Sequence, residues 1–118
     1  ASYIRPHRHA APEAAELLVA VRGTFAAVLF TAAGVVRSVV RFSAHGAEPG
    51  AAAGVEVEPG EWHTVIALAP GSVLLEIKAG PFDPAAPKEL ALWAPPEGSD
   101  ESLVYQQHLS ALAASSVD

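Results

Sequence analysis

The stretch Pro6-His7-Arg8-His9 lies near the start of the chain, and the stretch Pro59-Gly60-Glu61-Trp62-His63 lies in its middle. Together they contain three of the five histidines. In an extended strand successive side chains point to opposite faces, so the two imidazoles of a His-x-His pair share one face. A third histidine from a distant strand and one carboxylate would complete a four-ligand metal site. The pattern therefore predicts a strand-borne metal centre in which His7, His9 and His63 are ligands.

Length and composition exclude several other classes of protein. A chain of 118 residues suits one domain with one hydrophobic core. The absence of cysteine excludes disulfides, a thiolate nucleophile and a cysteine-ligated zinc site. A formal net charge of −6, with seven scattered basic residues, argues against a nucleic-acid partner.

Targeting signals and membrane spans are not visible in the sequence. No apolar run approaches the roughly 20 residues that a membrane-spanning helix needs, and charged residues and histidines interrupt the N-terminal stretch. We therefore expect a cytoplasmic protein without a membrane partner. The chain does not begin with Met, which predicts that preceding residues were processed or are missing.

Short β-rich apolar runs separated by Gly and Pro dominate the first three quarters of the chain. Strands of this length with turn signals between them are typical of an all-β sandwich or barrel. The predicted strands are residues 16–22, 24–31, 35–42, 54–58, 62–69, 72–78 and 88–93.

The C-terminal region predicts an irregular connection followed by a helix. Residues 81–87 contain three prolines, and Asp100 is a candidate N-cap for a helix from Glu101 to about Ala114. Leu103, Leu109 and Leu112 are expected to form its buried stripe. The alternative is a frayed tail.

Two carboxylates could complete the histidine set. Glu16 lies on a strong apolar run, on the same predicted face as Leu18 and Ala20, whereas Glu13 lies in an Ala/Pro stretch that predicts a turn. A ligand on a strand is held more firmly than one on a loop. We therefore prefer Glu16 and keep Glu13 as the alternative.

The spacing of these residues resembles the two motifs of the cupin superfamily. His7-x-His9, Glu16 and, after six intervening residues, Gly23 are similar to the first motif, and Gly54…Pro59-Gly60-x-x-His63 to the second. Six residues separate His9 from Glu16, against the usual three or four. Ala67 stands where cupins often have Asn.

A narrower resemblance, to the WbuC-type cupin metalloproteins, covers nearly the whole chain. The segments that carry it are Ser2-Tyr3-Ile4-Arg5-Pro6-His7-Arg8-His9, Trp62-His63-Thr64, Glu76-Ile77-Lys78-Ala79-Gly80-Pro81-Phe82 and Trp93-Ala94-Pro95-Pro96-Glu97. The family is associated with bacterial polysaccharide gene clusters. Its members usually carry an additional segment before the first motif.

The resemblance implies a single-domain cupin, that is, a double-stranded β-helix or jelly-roll barrel over residues 1–98. A helix or tail over residues 99–118 would pack on this barrel. The cupin resemblance also implies one divalent transition metal (Zn, Fe, Mn or Ni), bound by His7, His9, Glu16 and His63. Such a metal would keep open coordination positions for water or substrate. Arg5 is a candidate substrate anchor beside the metal. A homodimer is expected by analogy.

Two functions remain open at this point. The first is a metalloenzyme that acts on a small polar molecule, such as a sugar or sugar-nucleotide of surface polysaccharide metabolism. The second is a non-catalytic module that binds or senses a small ligand around a structural metal. Beyond the metal ligands, the sequence identifies no catalytic residue.

Overall fold

A computed structural model describes residues 3–9, 15–45, 47–78 and 88–115. Within these ranges the chain forms eight strands and one helix in the following order. The elements are β1 (His7–His9), β2 (Glu16–Arg22), β3 (Thr24–Phe30), β4 (Val36–Ser43), β5 (Gly54–Val57), β6 (Trp62–Ala67), β7 (Val73–Lys78), β8 (Lys88–Leu90) and α1 (Asp100–Ser115).

The strands form two antiparallel sheets, which confirms the all-β prediction at this level. One sheet has the order β4-β3-β6-β1-β8 and the other the order β5-β2-β7. The chain passes repeatedly between them, so strands adjacent in sequence often lie in different sheets. Among the described residues no ladder joins the two sheets into a closed barrel.

The main core lies between the two sheets. Strand β2 alternates as expected, with Glu16, Leu18 and Ala20 buried and Leu17 exposed. Leu18 and Ala20 pack with apolar side chains from strands of both sheets, namely Phe25, Ala27, Phe42, Val57 and Val65. Because strand side chains alternate, this inner face also carries the ligand candidates of β2 and β6.

A second core covers the outer face of the five-stranded sheet. Leu109 of α1 packs there on Val28, Phe30 and Ile66, with Trp62 and Trp93 at the border. The helix was predicted to bury three leucines, and for two of them this is wrong. Leu103 and Leu112 are exposed, whereas Ser102 and Ala113 are buried with Leu109. Apolar residues lie on several sides of α1, so its own pattern does not select the face that meets the sheet.

The helix also begins one residue earlier than predicted, with a different cap. Asp100 is the first helical residue, and the Oγ of Ser99 accepts a hydrogen bond from the backbone N–H of Ser102 at 3.3 Å. Ser99 therefore satisfies one of the free N–H groups of the first turn. Asp100 then contributes a negative charge near the positive end of the helix dipole.

Several sequence predictions fall on residues outside the described ranges. They concern Glu13, the connection 81–87, part of one WbuC-like segment (79–82) and the last three residues of the tail. In the part of the chain that is described, no helix is long and apolar enough to cross a membrane.

Candidate metal centre

Strand pairing brings the histidines of the two quoted stretches together. His7 of β1 lies directly opposite His63 of β6 in the antiparallel register, and side chains of such a pair project from the same face. His9 follows two residues later on that face. The backbone N–H of Gly60 donates to the carbonyl of His9 at 3.3 Å, so the turn before β6 is attached to the end of β1.

The three rings form a compact cluster. One ring nitrogen from each of His7, His9 and His63 lies within 4.8 Å of the other two. His63 is 1 % exposed and His7 is buried, while His9 is half-buried and lies at the more open side of the cluster. This grouping of residues from distant parts of the chain is the arrangement that the sequence predicted.

Backbone carbonyls orient two of the rings. Nδ1 of His7 lies 2.9 Å from the carbonyl oxygen of Arg5, and Nδ1 of His63 lies 2.8 Å from that of Glu61. A carbonyl only accepts, so each Nδ1 donates its proton, and in the neutral ring Nε2 is then the lone-pair nitrogen. Metal-binding histidines in proteins are commonly oriented in this way.

Glu16 reaches the cluster from the facing sheet. Its Oε2 lies 2.8 Å from Nε2 of His9, and its Oε1 lies 3.7 Å from Nε2 of His63. The second separation is too long for a hydrogen bond, so that contact is electrostatic. Glu16 is 3 % exposed, and such a buried carboxylate needs compensating charge or hydrogen bonds.

Three buried atoms of this cluster, Nε2 of His9, Nε2 of His63 and Oε2 of Glu16, make no hydrogen bond of acceptable geometry among the described residues, although the first and the last lie only 2.8 Å apart. In a neutral His63 ring the lone pair on Nε2 would face Oε1 of Glu16, which is an arrangement of two acceptors. A cation between them would remove the repulsion and satisfy the unpaired atoms. The residues therefore fit a first-row metal, which favours imidazole and carboxylate ligands.

The pKa values of the cluster follow from burial and mutual proximity. Burial lowers the pKa of His7 to about 4, although the hydrogen bond to Arg5 opposes this shift. Burial also lowers the pKa of His9, against the pull of Glu16. For Glu16 burial acts upward, but His63, Lys78 and His9 outweigh it and lower the pKa to about 2. Neutral His7 and His9 and an ionised Glu16 are the protonation states that a metal requires.

The side chain of Arg5 makes a contact within the fold. Its Nε and Nη2 both donate to the carbonyl of Ala91, at 3.1 and 2.8 Å. This contact holds the segment before β1 against the end of β8. Arg5 thus meets the histidine cluster through its backbone carbonyl, and a contact between its side chain and a substrate remains a prediction.

Two lysines beside the cluster were not identified as site residues from the sequence. Lys78 of β7 lies directly opposite Glu16, with Nζ 3.5 Å from Oε2. Lys88 of β8 lies directly opposite His9. The sequence places Lys78 on a strand face, but only the register between strands shows which residue it meets. Lys88 follows a proline-rich stretch, and no sequence motif around it indicates a role in a site.

A cavity of about 670 Å³ lies further along the inner face of β6. Its lining is mostly apolar and includes Phe25, Val65 and Leu74. The hydroxyl of Ser72 in this lining already donates to the carbonyl of Ala69. The lining does not include any of the four ligand candidates, so the cavity is not itself the metal centre.

Residues 1–42 match a family model described as Domain of unknown function (DUF6016). This match spans just over a third of the chain and includes His7, His9 and Glu16, but it ends before His63. No curated protein and no solved structure matches the chain. The comparisons therefore assign no activity, and the functional argument depends on the geometry of the site.

Proposed function

We propose that this protein binds one divalent transition metal (Zn, Fe, Mn or Ni) through His7, His9, His63 and Glu16. One observation carries the proposal: ligand atoms of two histidines and of Glu16 converge inside the protein without a hydrogen bond of acceptable geometry. Unpaired buried polar atoms are costly and rare in folded proteins. A metal ion satisfies all of them at once.

The strand order supports a cupin-type double-stranded β-helix as the frame of this site. A jelly roll distributes its strands over two facing antiparallel sheets, as β4-β3-β6-β1 and β5-β2-β7 are distributed here. In this arrangement β1 and β6 are neighbours while β2 faces them from the other sheet. Ligands from three strands then meet on the inner faces, which agrees with the cupin resemblance of the motifs.

For the reaction, we propose a metalloenzyme that acts on a small polar molecule. A bound metal would act as a Lewis acid or activate water or dioxygen. The more exposed His9 marks the side from which a ligand could approach. The sugar or sugar-nucleotide substrate depends on the WbuC resemblance alone, because the apolar cavity along β6 offers few groups for sugar hydroxyls.

Metal content is the first test of this function. Protein purified without chelating steps should contain close to one equivalent of metal by inductively coupled plasma mass spectrometry. His63→Ala should lose most of it, because the substitution removes a buried ligand. His108→Ala, at an exposed position of α1, is the matched control and should retain full occupancy. Equal metal content in both variants, or a wild-type protein that binds no metal, would show that the proposal is wrong.

A second measurement separates catalysis from simple binding. The metal-loaded protein should turn over members of a panel of sugars and sugar-nucleotides, and His9→Ala should abolish that turnover. Strong metal-dependent thermal stabilisation without turnover would instead identify a binding or sensing module.

A further inference from the structure

The distribution of lysine in this chain is unusual. The sequence contains two lysines, Lys78 and Lys88, in an acidic protein with a net charge of −6. Each lies directly across a strand pair from a candidate metal ligand. Lys78 is opposite Glu16 in the β2–β7 ladder, and Lys88 is opposite His9 in the β1–β8 ladder. The two lysines therefore flank the histidine cluster from different sheets.

Both amines are available to solvent. Lys78 has a side chain that is 49 % exposed, and Lys88 is also exposed. Among the described residues Lys88 forms no ion pair, and Lys78 pairs with Glu16. A metal bound by Glu16 would take up the charge of that carboxylate, so Lys78 would then lack a counter-charge.

Most of the arginines, by contrast, have structural contacts elsewhere. Arg8 lies over the ring of Trp62 at 4.5 Å and pairs with Glu89. Arg37 pairs with Glu61, and Arg41 pairs with Glu48. The positive charge that remains near the open side of the cluster comes from the two lysines. Glu76 lies two residues before Lys78, on the same face of β7, and is the acidic residue of that strand.

From this arrangement we propose that the metal centre binds an anionic small molecule whose carboxylate or phosphate group contacts both the metal and the amines of Lys78 and Lys88. The inference rests on the metal site proposed above and specifies the class of its ligand. Charge-assisted hydrogen bonds from lysine to such oxygens are among the stronger polar contacts in proteins. A sugar-nucleotide carries phosphates of this kind, and a free carboxylic acid carries the same charge.

The test uses protein loaded with Co²⁺, whose visible absorption reports ligands that enter the coordination sphere. Inorganic phosphate and succinate represent the two anions, and imidazole represents a neutral metal ligand. We expect Lys78→Gln and Lys88→Gln each to weaken binding of both anions about tenfold, and the double variant about a hundredfold. Imidazole affinity should change less than about twofold, since it does not depend on the amines.

Arg22→Gln is the matched control, because it removes one positive charge at the far end of β2, opposite Val73. It should leave anion affinity within about twofold of the wild type. Unchanged anion affinity in the double lysine variant, or no anion binding by Co²⁺-loaded wild type, would overturn the inference while leaving the metal site intact. A wild-type protein that takes up no Co²⁺ would instead overturn the metal site, and the inference with it.

Discussion

Glu16 occupies a buried position of β2 and is also a candidate metal ligand. It occupies the first position of β2 in an alternation that buries Leu18 and Ala20, so an apolar side chain would be expected there. A carboxylate in that position is costly unless cations surround it. The histidines and Lys78 provide part of this compensation, and the proposed metal provides the rest.

The choice between Glu16 and Glu13 gives a prediction at the residue scale. Glu16→Gln keeps the shape of the side chain but removes its charge, so metal affinity should fall at least about tenfold, which corresponds to about 1.4 kcal/mol. Competition with a chromophoric chelator measures this affinity.

Glu13→Gln is the control for that experiment and should leave metal affinity within about twofold. The opposite ranking, in which Glu13→Gln weakens binding and Glu16→Gln does not, would assign the ligand to Glu13.

At the scale of elements, α1 stabilises the sheet that carries two of the ligand strands. Leu109 is 2 % exposed and packs on Val28, Phe30 and Ile66. Because β6 contributes both Ile66 to this outer face and His63 to the inner face, the helix supports the strand from behind the metal site. The carbonyls of Ala113 and Ala114 also accept from Arg41 of β4, which attaches the end of α1 to the same sheet.

Truncation of Leu109 should therefore destabilise the fold. Leu109→Ala leaves a cavity in a packed cluster, and we expect the free energy of unfolding to fall by about 2–5 kcal/mol. Leu103→Ala removes the same atoms from a side chain that is 60 % exposed, and should cost less than about 0.5 kcal/mol. Urea denaturation measures both values. Equal losses would contradict the packing of α1 described above.

At the scale of the whole molecule, the three-stranded sheet presents an apolar outer face. Leu17 lies opposite Ile77 across the β2–β7 pair, and both are exposed. Val21, Val73 and Leu75 are exposed as well. Strand β7 is also an edge of its sheet among the described residues, and such edges readily pair with another chain. The predicted homodimer could use this surface, since antiparallel pairing of an edge strand with its own copy is two-fold symmetric.

Oligomeric state tests that prediction. We expect light scattering coupled to size exclusion to give twice the chain mass of 12.1 kDa, and Leu75→Glu to give the monomer mass. Leu92→Glu introduces the same charge at a side chain that is 94 % exposed outside this face, and should remain dimeric. A wild-type protein that is monomeric at micromolar concentration would show that the dimer prediction is wrong.

Much of the secondary structure and part of the site could be read from local signals. Alternating apolar runs and Gly or Pro turns predicted seven of the eight strands, six of them to within two residues, whereas the last was predicted to reach Trp93 and ends at Leu90. His-x-His already placed two ring nitrogens on one face. The helix was found, but its buried face was predicted wrongly at Leu103 and Leu112, because helical periodicity is weak in α1 and the sheet selects the face.

Local sequence patterns identified which residue types could bind a metal and, through the period of the strand, which of them share a face. Three features emerge only from the folded chain: His7 lies opposite His63, Glu16 reaches both His9 and His63 from the other sheet, and both lysines flank the cluster. Side-chain alternation is local to each strand, so it can be predicted from a short stretch of sequence. Register between strands depends instead on pairing across the whole sheet, and the approach of the two sheets depends on the core packed between them.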